Sequence, residues 1–152
     1  MGLPAQFAFD LVRLPAYGEE DFFVSPCNRK AAGWIERWPD WPDYGLEIVG
    51  APGSGKSHLM RVWQVRSGAR VIDMASSEPL PPVDRLFRES PVLGIDNAHR
   101  IAGSDRRERW LLHLLNMTRE EGGSILVMAD GPEARWGLIL PDLSSRLAAL
   151  PV

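Results

Sequence analysis

Gly50-Ala51-Pro52-Gly53-Ser54-Gly55-Lys56-Ser57 follows the apolar run Leu46-Glu47-Ile48-Val49 and precedes His58-Leu59-Met60-Arg61-Val62-Trp63. The eight residues make a complete G-x-x-x-x-G-K-S phosphate-binding loop, flanked by a strand and a helix as such a loop requires. Glycines let the backbone curl until successive N–H groups face one anion. A helix that begins at the loop turns its positive end toward the same point. Lys56 adds a charge for the β- and γ-phosphates, and Ser57 offers a hydroxyl to Mg²⁺. Gly50, Pro52, Gly53, Ser54, Gly55, Lys56, Ser57 and His58 are therefore the expected nucleotide-lining residues. Lys30 is the other lysine in a chain whose cations are otherwise arginines, so a lysine at this position answers a particular need. The plain alternative, a glycine-rich turn that binds nothing, does not account for a full match in this context.

The bulk properties narrow the class. The 152 residues suffice for one domain with a real core. A net charge of −3 argues against a dedicated duplex-binding surface, so no strong direct DNA binding is expected, although a local basic patch is compatible with it. The single Cys27 rules out an internal disulfide framework and fits a reducing, cytoplasmic compartment. The first residues lack a basic segment followed by a long apolar run, and no stretch approaches the ~20 apolar residues of a membrane span. His58, His99 and His113 are scattered and offer no zinc-ligand spacing.

Along the chain, residues 1–21 carry Pro4, Pro15 and Gly18 and read as an extended arm; 22–152 read as the nucleotide-binding domain. Residues 26–38 predict a helix, with Ser25 as cap and Ala31, Trp34, Ile35 and Trp38 on one face. Pro39-Asp40-Trp41-Pro42-Asp43 is a rigid connector. Four short apolar runs, 46–49, 70–74, 92–96 and 124–129, suit parallel strands buried on both faces. Between them lie helices at about 56–66, 82–89 and 104–121, the last with Trp110, Leu111, Leu114, Leu115 and Thr118 as its buried stripe and Gly122-Gly123 as its end. Alternating strand and helix predicts a three-layer α/β P-loop NTPase with a central parallel sheet.

A second motif supports the first. Val92-Leu93-Gly94-Ile95-Asp96 is an apolar strand ending in a carboxylate, and Asp96 would hold Mg²⁺, partly through water, beside Ser57. Many ATPases of this type place a glutamate next, to polarise the attacking water; this chain has Asn97, and an amide cannot serve as a general base. Asp130, at the end of Met128-Ala129-Asp130, is a candidate γ-phosphate sensor, or caps the following turn. Pro141-Asp142-Leu143-Ser144-Ser145-Arg146-Leu147 reads as a short helix presenting Arg146, either a solvated charge or a group that reaches a neighbour's phosphate.

Taken in order, Asp21-Phe22-Phe23-Val24-Ser25-Pro26-Cys27-Asn28, the phosphate loop, Ile95-Asp96-Asn97-Ala98, Ala129-Asp130-Gly131-Pro132 and Leu143-Ser144-Ser145-Arg146-Leu147 resemble the AAA+ module of the bacterial initiator DnaA. The Asp96-Asn97 pair resembles most the Hda (HdaA-like) family of DnaA-related regulators. The resemblance implies an AAA+ base domain in which Val24 and Pro26 lie by the adenine, Asp130 is sensor 1, and Arg146 is an arginine finger acting in trans. It implies ADP or ATP with Mg²⁺ as the bound nucleotide and DnaA as a partner. Gln6-Phe7-Ala8-Phe9-Asp10-Leu11 is similar to a sliding-clamp-binding peptide, with Gln6 hydrogen-bonded and Phe7, Phe9 and Leu11 against an apolar pocket; the alternative packs these side chains on the domain's own core. The initiator's C-terminal DNA-binding helices have no counterpart here. Neither has the helical lid expected after Arg146, so assembly into a homo-oligomer is open.

Three functions compete. In the first, the chain binds the clamp and promotes ATP hydrolysis by DnaA, which is negative regulation of replication initiation. The second is an independent small P-loop kinase or ATPase, and the third a nucleotide-free degenerate scaffold. As an enzyme alone it is expected to be at most a weak ATPase, because Asn97 lacks a basic oxygen, and Asn97→Glu is expected to raise the basal rate.

Overall fold

The structure, a computed structural model, describes residues 13–14, 22–23, 29–76, 79–132 and 136–151. Near the N-terminus, β1 (Arg13–Leu14) pairs antiparallel with β2 (Phe22–Phe23). Helix α1 (Arg29–Arg37) then leads into the main sheet: β3 (Gly45–Val49), α2 (Lys56–Ser67), β4 (Arg70–Asp73), α3 (Val83–Glu89), β5 (Val92–Asp96), a 3₁₀ turn (Ala98–Ile101), α4 (Asp105–Glu121), β6 (Ser124–Ala129) and α5 (Pro141–Ala148). The four strands are parallel in the order β3-β6-β5-β4. The expected strands and helices are therefore present, with boundaries moved by a residue at most, save that the first helix is described only from Arg29, residues 26–28 lying outside the described residues.

Both faces of the sheet are covered, which is why its strands read as unbroken apolar runs. Along β6, Leu126 and Met128 pack with Ala32, Ile35, Leu59, Met60, Val62 and Trp63 of α1 and α2. The alternate residues Ile125, Val127 and Ala129 pack with Val83, Leu86, Leu111, Leu114, Leu115, Leu143 and Leu147 of α3, α4 and α5. This is the period-two pleat dividing one strand between two cores. Gly94 sets how closely α2 sits on the sheet: a Cβ there would come within 2.7 Å of the Met60 sulfur. The connector after α1 is fastened by Trp41, whose ring stacks on buried Trp63 at 5.7 Å and whose Nε1–H donates to the Trp34 carbonyl at 2.7 Å.

Helix α4 starts at Ser104, whose hydroxyl accepts the Arg107 N–H at 3.3 Å, and ends at Gly122 with φ of 81°. Its buried stripe differs from the expected one at its N-terminal end. Trp110 is only half-buried, because its Nε1–H reaches out to the Pro81 carbonyl at 2.8 Å. Glu108, a charged residue, is fully buried instead. Its carboxylate accepts the N–H groups of Gly103, Ile139 and Leu140, all within 3.0 Å. Leu140 is the N-cap residue of α5 and has no side-chain cap of its own, so Glu108 supplies the acceptor that this helix start lacks. Glu108→Ala is expected to cost on the order of 2 kcal/mol, since it removes the acceptor shared by three partly buried backbone donors, and Glu108→Gln clearly less; urea unfolding of the two variants checks this.

At the far edge of the sheet, the N–H of Glu47 on β3 donates to the Pro151 carbonyl at 2.8 Å. Pro151 thus lies against the edge strand β3. Among the described residues no helix is long and apolar enough to cross a membrane.

Candidate functional site

The C-terminal ends of β3, β5 and β6 converge on one cleft of about 390 Å³, lined by Pro52, Gly53, Gly55, Lys56, Ser57, His58, Asn97 and Asp130. In an open parallel sheet this rim is where ligands bind. The loop after β3 turns through Gly53 (φ 79°) and Gly55 (φ 95°), both in the left-handed region that glycine enters without a Cβ clash. Gly55 is also the N-cap of α2, and no side chain caps that helix start. The first N–H groups of α2 therefore await an acceptor at the cleft.

Lys56 is fixed rather than free. Its Nζ donates to the carbonyls of Gly50 and Ala51, each at 2.9 Å, and pairs with Asp130 Oδ1 at 2.9 Å. The strand order explains the last contact: β6, which carries Asp130 past its end, lies directly beside β3, which feeds the loop. The hydrogen bond from Lys56 holds the Asp130 carboxyl below its ordinary range; burial opposes this, and the charges of Lys56, His99 and Arg100 add to it. On its other side Asp130 meets His99, with Nε2 3.3 Å from Oδ2 and the Asp130 N–H donating to His99 Nδ1 at 3.2 Å. Asp130 thus joins Lys56 and His99 across the cleft.

Ser57 and Asp96, 39 residues apart, are joined by a hydrogen bond of 2.8 Å from Oγ to Oδ2. Asp96 is buried, and its Oδ1 accepts the N–H of Asn97 at 2.9 Å. Among the described residues no group of three or more His, Cys, Asp or Glu could hold a metal ion. A cation here would draw its remaining ligands from phosphate and water.

The structure brings together Gly53, Gly55, Lys56, Ser57, His58, Pro52, Asp96 and Asp130. Gly50 and Ser54 shape the loop: a Cβ on Gly50 would lie 2.9 Å from the Ser54 hydroxyl. Arg146 lies elsewhere. It lines a separate groove of about 380 Å³ with Leu112, Asn116, Asp142, Ser145 and Ala149, between α4 and α5. Burial raises the Tyr44 phenol, and the Arg146 charge is the first influence opposing it. Tyr44 precedes β3, at the opposite end of that strand from the phosphate loop. Arg146 therefore lies away from its own chain's phosphate cleft. Val24 and Pro26, and Gln6, Phe7, Phe9 and Leu11, lie outside the described residues.

Sequence reasoning missed His99, Arg100 and Asp73. The first two follow Asp96 in a 3₁₀ turn and have no motif of their own. Asp73 ends β4 as Asp96 ends β5, and the two are paired in register; the apolar run 70–74 extends past Asp73 to Met74, which hid the parallel.

No protein-family profile matches the chain. It is 29% identical to the chromosomal replication initiator protein DnaA of Francisella philomiragia over 95% of the chain and 37% of that protein. Against DnaA of Thermus thermophilus it is 28% identical over 90% of the chain and 40% of that protein. The chain thus spans well under half the length of these relatives. Among solved structures, domain III of Thermotoga maritima DnaA superposes with a TM-score of 0.73 at 22% identity, covering 92% of this chain and 67% of that one. AMPPCP-bound DnaA of Aquifex aeolicus gives 0.71 at 20% identity, covering 91% and 50%. The DnaC helicase loader gives 0.58 at 17%, covering 84% and 89%. The chain thus shares the α/β fold of these DnaA domains and is similar in sequence to DnaA at 28–29% identity.

Proposed function

We propose that this chain is a cytoplasmic regulator of replication initiation of the Hda (HdaA-like) type. In this reading it holds ADP or ATP with Mg²⁺ at the phosphate loop, docks on the DNA polymerase sliding clamp through Gln6, Phe7, Phe9 and Leu11, and accelerates ATP hydrolysis by DnaA through Arg146. The observation that carries the reading is the division of labour between two sites. One cleft gathers an uncapped helix start, Lys56 and the Ser57–Asp96 pair, while Arg146 stands apart at the other end of the sheet.

The cleft's residues fit a nucleotide. The open N–H groups of α2 supply donors for phosphate oxygens, and Lys56 exchanges Asp130 for a phosphate at little geometric cost. Ser57 Oγ and Asp96 Oδ2 are the oxygens that would hold Mg²⁺, which when bound neutralises phosphate charge. Asn97 lines the cleft but carries no basic oxygen, so the chain's own turnover is slow and its nucleotide is structural. Arg146 supplies charge needed only in the transition state of a partner's phosphoryl transfer.

The test is ATP hydrolysis by DnaA in the presence of this chain and clamp loaded on DNA. The rate is expected to rise over DnaA alone, while the isolated chain turns over very slowly. Gln6→Ala with Leu11→Ala is expected to weaken capture of the clamp and to spare nucleotide binding. Brisk hydrolysis by the chain alone would instead favour an independent ATPase or kinase, and failure to bind ADP a nucleotide-free scaffold.

A further inference from the structure

Asn97 stands where a basic oxygen is needed, yet a carboxylate lies immediately behind it. Asp73 Oδ1 accepts a hydrogen bond from Asn97 Nδ2 at 2.8 Å. The same oxygen accepts the Ala75 N–H at 2.9 Å, and the Asp73 carbonyl accepts the Ser76 N–H at 3.1 Å, so the acid is anchored in its own turn. Asn97 is anchored as firmly. Its N–H is held by Asp96, and its φ of 54° is the one positive value among the described non-glycine residues. Asparagine enters this left-handed region more readily than other non-glycine residues, so the residue type suits the turn that presents it. An ionised carboxylate can only accept, so the amide must turn its NH₂ to Asp73. That leaves the Asn97 carbonyl oxygen for the cleft that Asn97 lines.

We infer that Asp73 and Asn97 form an acid–amide pair with the amide toward the cleft and the acid behind it. Asp73 is a positioning residue that turns the Asn97 oxygen toward the phosphate cleft as a water acceptor, and the pair's carboxylate is kept on the side away from the phosphates. The inference rests on the nucleotide reading above. A carbonyl oxygen can align a water but cannot take its proton, so the chain retains nucleotide with little turnover. Exchanging the two residues places the carboxylate in the cleft and the amide behind it, as a donor to it. The water oxygen then bonds to the γ-phosphorus as the phosphorus–oxygen bond to the departing ADP breaks, and the water's proton passes to the carboxylate introduced by Asn97→Asp.

The experiment compares wild type, Asp73→Asn, Asn97→Asp and the double exchange. Urea unfolding without nucleotide gives a double-mutant cycle, binding of a fluorescent ADP analogue reports the site, and ATP turnover is followed against pH. Asn97→Asp alone sets two carboxylates against each other and is expected to lose stability that Asp73→Asn restores. The double exchange is expected to hydrolyse ATP at least about tenfold faster than wild type, at the cautious end of general-base effects, with an acid limb that wild type lacks. Asp73→Asn alone, which frees the amide to turn, is expected to give no such gain. Additive stabilities would overturn the inference, as would a double exchange that binds nucleotide but is no faster than wild type. Failure of the analogue to bind wild type would overturn the nucleotide reading by itself, and the unfolding cycle would still decide the pair.

Discussion

Arg146→Ala is expected to remove most of the stimulation of ATP hydrolysis by DnaA, a loss on the order of 10³ if the guanidinium acts as arginine fingers do. The fold around it should be indifferent to the change. Helix α5 is seated by Leu143 and Leu147, both fully buried, and its start is held by Glu108. Arg146 itself is only half-buried and lines an open groove. Truncation to alanine therefore removes a charge without opening the core. Binding of ADP should be unchanged, because no residue lines both the Arg146 groove and the phosphate cleft. Clamp capture should be unchanged as well, so the loss appears in rate and not in assembly. The measurement is single-turnover hydrolysis by DnaA with clamp on DNA, wild type against variant, at matched occupancy. Undiminished stimulation would leave Arg146 as a surface charge on α5 and remove the trans-acting role.

Lys56→Ala should weaken ADP and ATP binding by at least about 10²-fold, the equivalent of one charge-assisted contact of about 3 kcal/mol. The structure adds a reason beyond the lost contact. Asp130 is paired with Lys56 at 2.9 Å. Without the lysine, that carboxylate faces the phosphates uncompensated by its main partner. The stability cost should be small, about 1 kcal/mol or less for a partly exposed ion pair. Its pH dependence has a definite sign. The Asp130 carboxyl is lowered in the folded chain, first by the Lys56 hydrogen bond. A lowered acid contributes stability that is fully present above its unfolded value, about pH 4, and is lost as pH falls through the folded value. Wild type and variant should therefore differ in Tm near neutral pH and converge in acid. Nucleotide affinity by titration calorimetry, with Tm followed from pH 7 down to pH 3, checks both parts. Unchanged affinity would count decisively against the site.

Much of this protein was determined by its sequence alone. The phosphate loop is local chemistry: eight contiguous residues specify a curl, a helix start and a charge. The strands are legible because residues such as Leu126, Val127 and Met128 are apolar at consecutive positions, which a sheet covered on both faces requires. The ends of α4 are legible because Ser104 and Gly122 satisfy backbone groups within a few residues. What only the tertiary structure decided is everything that depends on strand order and register. Placing β6 beside β3 joins Asp130 to Lys56, 74 positions away, and pairing β4 with β5 sets Asp73 against Asn97. The burial of Glu108 was illegible for a related reason: its acceptors are satisfied by backbone N–H groups of Ile139 and Leu140, and backbone donors leave no trace in side-chain identity. Local motifs are written in neighbouring residues; charge partnerships across a sheet are set by which strands lie side by side, and the chain acquires those only on folding.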